Sequence, residues 1–147
     1  MASQVPVVPN GFLIAAATLS AVAALLHVGI LVFGADWYRF FGAGERMAQL
    51  AAAGHWYPPL ITSLIALVLS SWATYALAGA GVIRRLPLMK PALCIITAIY
   101  LLRGLVIIPI AAFATSMATP FWYWSSAVCL LYGLVHLLGL RQAWAHL

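Results

Sequence analysis

Charged residues are scarce in this chain of 147 residues. Seven Lys and Arg and two Asp and Glu amount to 6% of the sequence, whereas a soluble domain carries about 25%. Hydrophobic residues make up 66%, and the mean hydropathy is +1.08. So few charges cannot cover the surface of a soluble globule of this size. So high a hydrophobicity also excludes an intrinsically disordered chain. Most of the surface is therefore expected to face lipid.

The sequence also lacks the motifs of several common activities. Cys94 and Cys129 lie in apolar runs, and their spacing fits neither a zinc site nor a redox pair, so we expect both to pack as small apolar side chains. There is no glycine-rich phosphate loop, no HExxH and no GxSxG. The basic residues are too scattered for a nucleic-acid interface. We therefore expect no cofactor, no metal and no nucleic-acid partner.

Four apolar stretches are long enough to cross a bilayer, which takes about 20 helical residues. They cover approximately residues 11–33, 58–80, 91–113 and 121–140. Helices are expected because backbone groups in hydrocarbon must pair within their own segment. Pro109 lies inside the third stretch and predicts a kink there. The sequence thus predicts one all-α transmembrane domain over residues 1–147, folded as an up-down-up-down four-helix bundle.

The distribution of cations predicts the orientation of this bundle. Arg84, Arg85 and Lys90 lie between the second and third spans, and Arg141 follows the fourth span. With four spans, these residues share one side with both termini. That side holds four of the six cations outside the spans. Because cytoplasmic loops carry an excess of Lys and Arg, we expect both termini in the cytoplasm.

The longest link, residues 34–57, is expected on the outer side. Its residues 45–53 predict a short amphipathic helix, and aromatic residues such as Trp37 and Trp56 flank that helix. Trp and Tyr prefer the headgroup level of a bilayer. Two interpretations stay open: an interfacial helix with aromatic anchors, or a lid over a pocket between the spans.

Arg103 is the clearest functional candidate, because an arginine in the middle of a span costs about 2.5–3.5 kcal/mol to insert. The chain has only two carboxyl side chains, Asp36 and Glu45, and both lie in the outer link. Arg103 can therefore pair with one of them, use carbonyl groups and water, or bind an external anion. It can also extend to the outer headgroups, as long cationic side chains do.

His27 lies at a similar depth on the small-residue face of the first span, where an imidazole can carry a proton. Together these features predict an outward-facing polar cavity that binds a lipid-like or amphipathic molecule, or an accessory subunit with a membrane-protein partner or a second copy. The alternative is a small isomerase-type enzyme in which His27 or Glu45 is the acid/base and Arg103 holds an anionic group. The candidate ligand-binding residues are Arg103, His27, Asp36, Glu45, His55, Tyr57, Tyr100, Trp122 and Trp124.

The pattern of the first span and the link resembles a known group. The first span contains Ala-Leu-Leu-His at residues 24–27, and an aromatic stretch follows from Asp36 to Glu45. With the chain length, these features resemble small four-helix bacterial inner-membrane proteins of the DoxX-like group. The resemblance implies a multi-pass protein of the bacterial inner membrane, surrounded by membrane lipids, and implies no particular chemistry.

Overall fold

The computed structural model describes residues 9–147. Helix makes up 82% of this part of the chain, and it contains no strand. Two 3-10 turns, Thr115–Met117 and Trp144–His146, accompany the α-helices. The α-helices are α1 (Gly11–Phe33), α2 (Ala35–Phe40), α3 (Glu45–Ala52), α4 (Tyr57–Gly79), α5 (Met89–Leu105), α6 (Ile107–Phe113) and α7 (Pro120–Ala143).

Four helical segments are long and apolar enough to span a membrane: α1, α4, α5 with α6, and α7 with the 3-10 turn that follows it. The prediction of an all-helical chain with four candidate spans is therefore confirmed, and these spans indicate a multi-pass membrane protein. The N-terminal part of the predicted domain, residues 1–8, lies outside the described residues.

Prolines mark the starts and the break of these helices. Pro58 and Pro120 lie in the first turns of α4 and α7, where the missing N–H costs little. Pro109 cannot donate to the carbonyl of Leu105, four residues earlier. The third span divides at this place, since α5 ends at Leu105 and α6 begins at Ile107.

Helix packing uses small side chains. The most extensive helix contacts are those of α1 with α4 and of α5 with α7, and contacts between α1 and α7 join the two pairs. Ala16, Ala17 and Ala76 form a buried cluster between α1 and α4. In contrast, Leu25 and Leu102 are 68% and 69% exposed. Large apolar side chains thus lie on the outer surface, where lipid can contact them, and small side chains lie between the helices.

One predicted small-residue face is partly wrong. The sequence predicts that one face of α4 meets the neighbouring helices, and this face consists of Ser63, Ala66, Ser70, Ala73 and Thr74. The two alanines are buried, but Ser70 and Thr74 are exposed. Their hydroxyls donate to carbonyls one turn earlier, at 2.8 and 2.9 Å. A hydroxyl that is satisfied within its own helix needs no neighbour and can therefore face outward.

The end of the bundle that carries most cations is called the basic end. It contains the starts of α1 and α5 and the ends of α4 and α7. The Asn10 amide N–H donates to the carbonyl of Ala80 at 3.0 Å, and the Asn10 side chain donates to the carbonyl of Gly139 at 3.3 Å. Lys90 lies 5.2 Å from the ring centroid of Trp144. These contacts join all four spans beside the cationic residues.

The opposite end is called the aromatic end and contains α2, α3 and the starts of α4 and α7. Helix α2 was not predicted, whereas α3 matches the predicted helix over 45–53 within one residue. Tyr38 of α2 is buried, and its hydroxyl forms a 2.8 Å hydrogen bond with that of Thr62 in α4. Ala48 of α3 packs with Tyr38 and Ile30. The link is therefore a folded cover on α1 and α4.

Candidate functional site

The guanidinium of Arg103, near the end of α5, is held against the first turns of α7. Its Nη2 donates to Ser125 Oγ at 2.8 Å, and its Nη1 donates to Ser126 Oγ at 3.1 Å. The guanidinium carbon lies 4.6 Å from the ring centroid of Trp122, a distance typical of a cation–π contact. The side chain is partly buried. Two neutral dipoles and an indole face thus fix the position of the cation.

The close approach of α5 and α7 makes this contact possible. A Cβ atom on Gly104 would lie 2.6 Å from the backbone nitrogen of Leu130, and one on Gly133 would lie 2.7 Å from the side chain of Leu101. Only glycine at these two positions lets the helices come this near. Gly104, next to Arg103 in the sequence, therefore lets the Arg103 guanidinium reach the two serines.

Within residues 9–147, no carboxylate forms an ion pair with Arg103. Arg39 binds both of the chain's carboxyl side chains: its Nη1 donates to Asp36 at 3.1 Å and its Nε to Glu45 at 2.9 Å. The hydrogen bond from Arg39 lowers the pKa of Glu45, and the same bond raises the pKa of Arg39. Of the four predicted possibilities for Arg103, the internal ion pair is absent among the described residues, where two serine hydroxyls bind the guanidinium instead.

His27 is partly buried in α1, and its Nδ1 donates to the carbonyl of Ala23 at 2.7 Å. A carbonyl oxygen only accepts, so this bond fixes the proton on Nδ1 of the neutral ring. Within residues 9–147, no hydrogen bond joins His27 to Arg103 or to Glu45. The predicted acid/base groups and the predicted anion holder are therefore not brought into contact.

The remaining predicted residues separate into different surroundings. His55 and Tyr57 are exposed beside Trp56, and the His55 ring stacks on Trp56 at 5.7 Å. Trp124 is 73% exposed, so it lines no enclosed wall. Tyr100 is buried deeper in the bundle, where its hydroxyl bonds to Ser20 at 3.0 Å.

Two hollows open at the aromatic end beneath the link. The larger has a volume of 460 Å³ and is lined by Arg46, Met47, Leu50, His55, Trp56 and Tyr57. The smaller has a volume of 180 Å³ and shares His55 and Trp56 with the larger. Arg103 lines neither. The larger hollow combines one cation with aromatic and aliphatic side chains, a lining suited to an amphiphile at headgroup level.

Sequence reasoning missed Ser125 and Ser126 as partners of Arg103, and it missed Arg46 as part of a hollow. The depth of the two serines could have identified them. Both lie in the first two turns of α7, and Arg103 lies nearer to that end of its span than to the other. Among residues 9–147, no group of three His, Cys, Asp or Glu side chains lies close enough to hold a metal ion.

Comparison with protein-family models, curated proteins and solved structures finds no match for this chain.

Proposed function

We propose that this protein binds an anionic amphiphile, a phospholipid or a fatty acid, through the guanidinium of Arg103. In this proposal the chain is an up-down-up-down bundle in the bacterial inner membrane with both termini in the cytoplasm. The contacts between alternate helix ends at the basic end support the topology. The cations at the same end support the orientation.

The observation that carries the proposal is an uncompensated positive charge inside a span. Arg103 is about 15 Å from the Phe113 end of its span at 1.5 Å per residue. Both carboxyl side chains of the sequence are bound to Arg39. A partly buried cation without an anion is unfavourable in a span, and an amphiphile can supply the anion while its tail stays in the lipid.

The geometry of Arg103 suits such a ligand. A guanidinium has five N–H donors in one plane, and this planar fork matches a carboxylate or a phosphate. Two of the donors reach the serine hydroxyls, which leaves the others for a ligand. Trp122 covers one face of the guanidinium, so we expect the anion at its edge.

The larger hollow extends the proposal toward the membrane surface. It lies at the aromatic end, and Arg46 provides a cation in its lining. We propose it as the place where a bound amphiphile enters or rests at headgroup level. The link then acts as the predicted lid. The enzyme alternative has less support, because Arg39 binds Glu45 and His27 donates to its own helix.

The proposal is tested by native mass spectrometry of the full-length protein released from nanodiscs that contain equal phosphatidylglycerol and phosphatidylcholine. We expect the wild type to retain phosphatidylglycerol preferentially. Arg103→Leu should weaken this retention by about tenfold or more, because a hydrogen bond to a charged group contributes about 1.5–3 kcal/mol. Oleate, added separately, distinguishes a carboxylate ligand from a phosphate one.

Arg84→Leu is the matched control, since Arg84 is an exposed cation at the basic end. It should leave the retained lipid unchanged. Equal retention in Arg103→Leu and wild type would refute the proposal. Should Arg103→Leu fail to fold, Arg103→Lys keeps the charge without the planar fork and should weaken retention measurably.

A further inference from the structure

The lining of the larger hollow combines two nitrogen groups that can donate hydrogen bonds with aliphatic and aromatic side chains. The two groups belong to Arg46, on α3, and to His55, in the segment before α4. The volume of 460 Å³ lies within the range of about 300–1,000 Å³ that is usual for small-molecule sites. The hollow therefore has room for a polar headgroup and two side chains that can bind it.

The tautomer of the neutral His55 ring follows from one hydrogen bond. The backbone N–H of Tyr57 donates to Nδ1 of His55 at 3.2 Å. Since an N–H group only donates, Nδ1 presents its lone pair, and the proton of the neutral ring is on Nε2. Among residues 9–147, no group accepts a hydrogen bond from this Nε2. The imidazole can therefore donate to a ligand in the hollow.

The start of α4 adds no backbone donor to these side chains. The N–H of Tyr57 already donates to His55, and the next two residues are prolines, which have no N–H. The N–H of Leu60 donates to the carbonyl of Trp56 at 3.2 Å. Recognition of a ligand at this end of α4 thus depends on side chains.

The charge of Arg46 lacks a counter-ion in the part of the chain that the structure describes. The sequence has two carboxyl side chains, and Arg39 binds both of them, at 2.9 and 3.1 Å. Glu45 is next to Arg46 in the sequence, but its ion pair is with Arg39. A cation and an imidazole N–H are therefore both open to an acceptor, and the strongest acceptor for such a pair is an anion.

We propose that the larger hollow binds the phosphate of a phospholipid headgroup, which accepts hydrogen bonds from the guanidinium of Arg46 and from Nε2 of His55. Trp56 and Tyr57 are exposed aromatic residues of the same lining. Such residues prefer the headgroup level of a bilayer, which is the level of the lipid phosphates. The glycerol and ester groups then occupy the remaining volume beside the aliphatic side chains.

This inference names the class of amphiphile. The polar part of a fatty acid is a carboxylate alone, which leaves most of a hollow of 460 Å³ to hydrocarbon. A phospholipid headgroup supplies a phosphate and further polar groups, so the hollow favours a phospholipid. The inference rests on the proposed function, because the hollow is the proposed place where the amphiphile enters or rests.

Solid-state NMR of the full-length protein with 15N-labelled histidine tests the inference. The bilayer is a phosphorus-free glycolipid with a few molecules of phosphatidylglycerol per protein, at about pH 8, where imidazole is neutral. A His55→Phe variant assigns the His55 signals. We expect Nε2 of His55 to be protonated and to be dephased by 31P. A proton on Nδ1, or no dephasing at His55, overturns the proposal.

Arg46→Gln removes the cation and should abolish most of the dephasing at His55. Arg84→Gln is the matched control, because it removes an exposed cation at the basic end and should leave the dephasing unchanged. Equal dephasing in Arg46→Gln and wild type would contradict a phosphate held by Arg46.

Two additions identify the source of the phosphate. Glycerol phosphate at the same concentration, in place of phosphatidylglycerol, should give no dephasing at His55. An excess of oleate beside phosphatidylglycerol should leave the dephasing in place. Dephasing by glycerol phosphate, or its loss on addition of oleate, would overturn the assignment to a phospholipid.

The Arg103→Leu variant separates this inference from the proposed function. Dephasing at His55, together with unchanged lipid retention in Arg103→Leu, would refute the proposed role of Arg103 and leave the hollow as the phospholipid site. Weakened retention in Arg103→Leu, without dephasing at His55 in the wild type, would refute the inference about the hollow alone.

Discussion

Two arginines near the aromatic end have opposite surroundings. Arg39 lies in the exposed link and binds two carboxylates, whereas Arg103 lies in a span and contacts two hydroxyls and an indole. In water an exposed ion pair contributes little, since solvent already stabilises both charges. In the bilayer the same charge lacks that solvent. Both carboxylates thus lie in the exposed link, whereas the partly buried cation in the span has no carboxylate partner among the described residues.

A carboxylate introduced next to Arg103 should change lipid retention more than any other variant described below. Ser125→Asp places an acid beside Nη2, which now lies 2.8 Å from the serine oxygen. Because Ser125 is only partly buried, the longer side chain has room. We expect phosphatidylglycerol retention to fall by about tenfold or more, as the internal charge-assisted bond replaces the external one.

Native mass spectrometry against wild type measures this change, and Ser116→Asp, at an exposed site before α7, is the control. Undiminished retention in Ser125→Asp would show that the ligand binds elsewhere.

Separating α5 from α7 should have the next largest effect. Gly104→Ala puts a Cβ atom within 2.6 Å of the Leu130 backbone, and such overpacking typically costs about 1–3 kcal/mol. The added methyl group also moves Arg103 away from its serines. We expect a lower unfolding midpoint in SDS titration together with weaker lipid retention.

Gly11→Ala is the control for this variant, because a Cβ atom there meets nothing within 4 Å. A Gly104→Ala protein with wild-type stability and retention would contradict the close packing of α5 and α7.

Loss of the ion pairs between Arg39 and the two carboxylates of the link should have the smallest effect, a local decrease in the stability of α2 and α3. Arg39 lowers the pKa of Glu45, so the carboxylate stabilises the folded link at neutral pH. This stabilisation is lost as the pH falls below the usual carboxyl range and through the lowered pKa of the folded state. We expect a small decrease in hydrogen-exchange protection of α2 and α3 at about pH 3.

Glu45→Gln should show the reduced protection already at neutral pH and little further change on acidification. Arg46→Gln serves as the control, because Arg46 takes no part in this ion pair. If Glu45→Gln keeps the pH dependence of the wild type, that pH dependence arises from another titratable group and the prediction is wrong.

The spans could be predicted because hydrophobicity and length alone decide them in a membrane. Helix α2 could not, since its six residues follow Gly34 directly and form no apolar repeat of useful length. Its position depends on tertiary contacts, above all the bond between Tyr38 and Thr62. Local sequence contains no information about that bond.

The candidate site was predicted only in part. Arg103 and Trp122 were identified because a cation in a span and aromatics near its end are unusual features. Its hydroxyl partners lie 22 and 23 residues away, beyond the break at Val106. Serines in a span are also common packing residues, and nothing distinguishes a serine that binds a guanidinium. Likewise, 80 residues separate Ser20 from Tyr100, and only the fold brings them together.

The most direct test of an external anion on Arg103 is the distance from its guanidinium nitrogens to a lipid phosphorus. Dephasing of 15N-labelled arginine by 31P in phosphatidylglycerol bilayers measures this distance, and Arg103→Leu identifies the signal. The account predicts strong dephasing of the Arg103 resonance, with that of Arg39 unaffected because its carboxylates exclude the phosphate. Dephasing of Arg39 with none at Arg103 would contradict it.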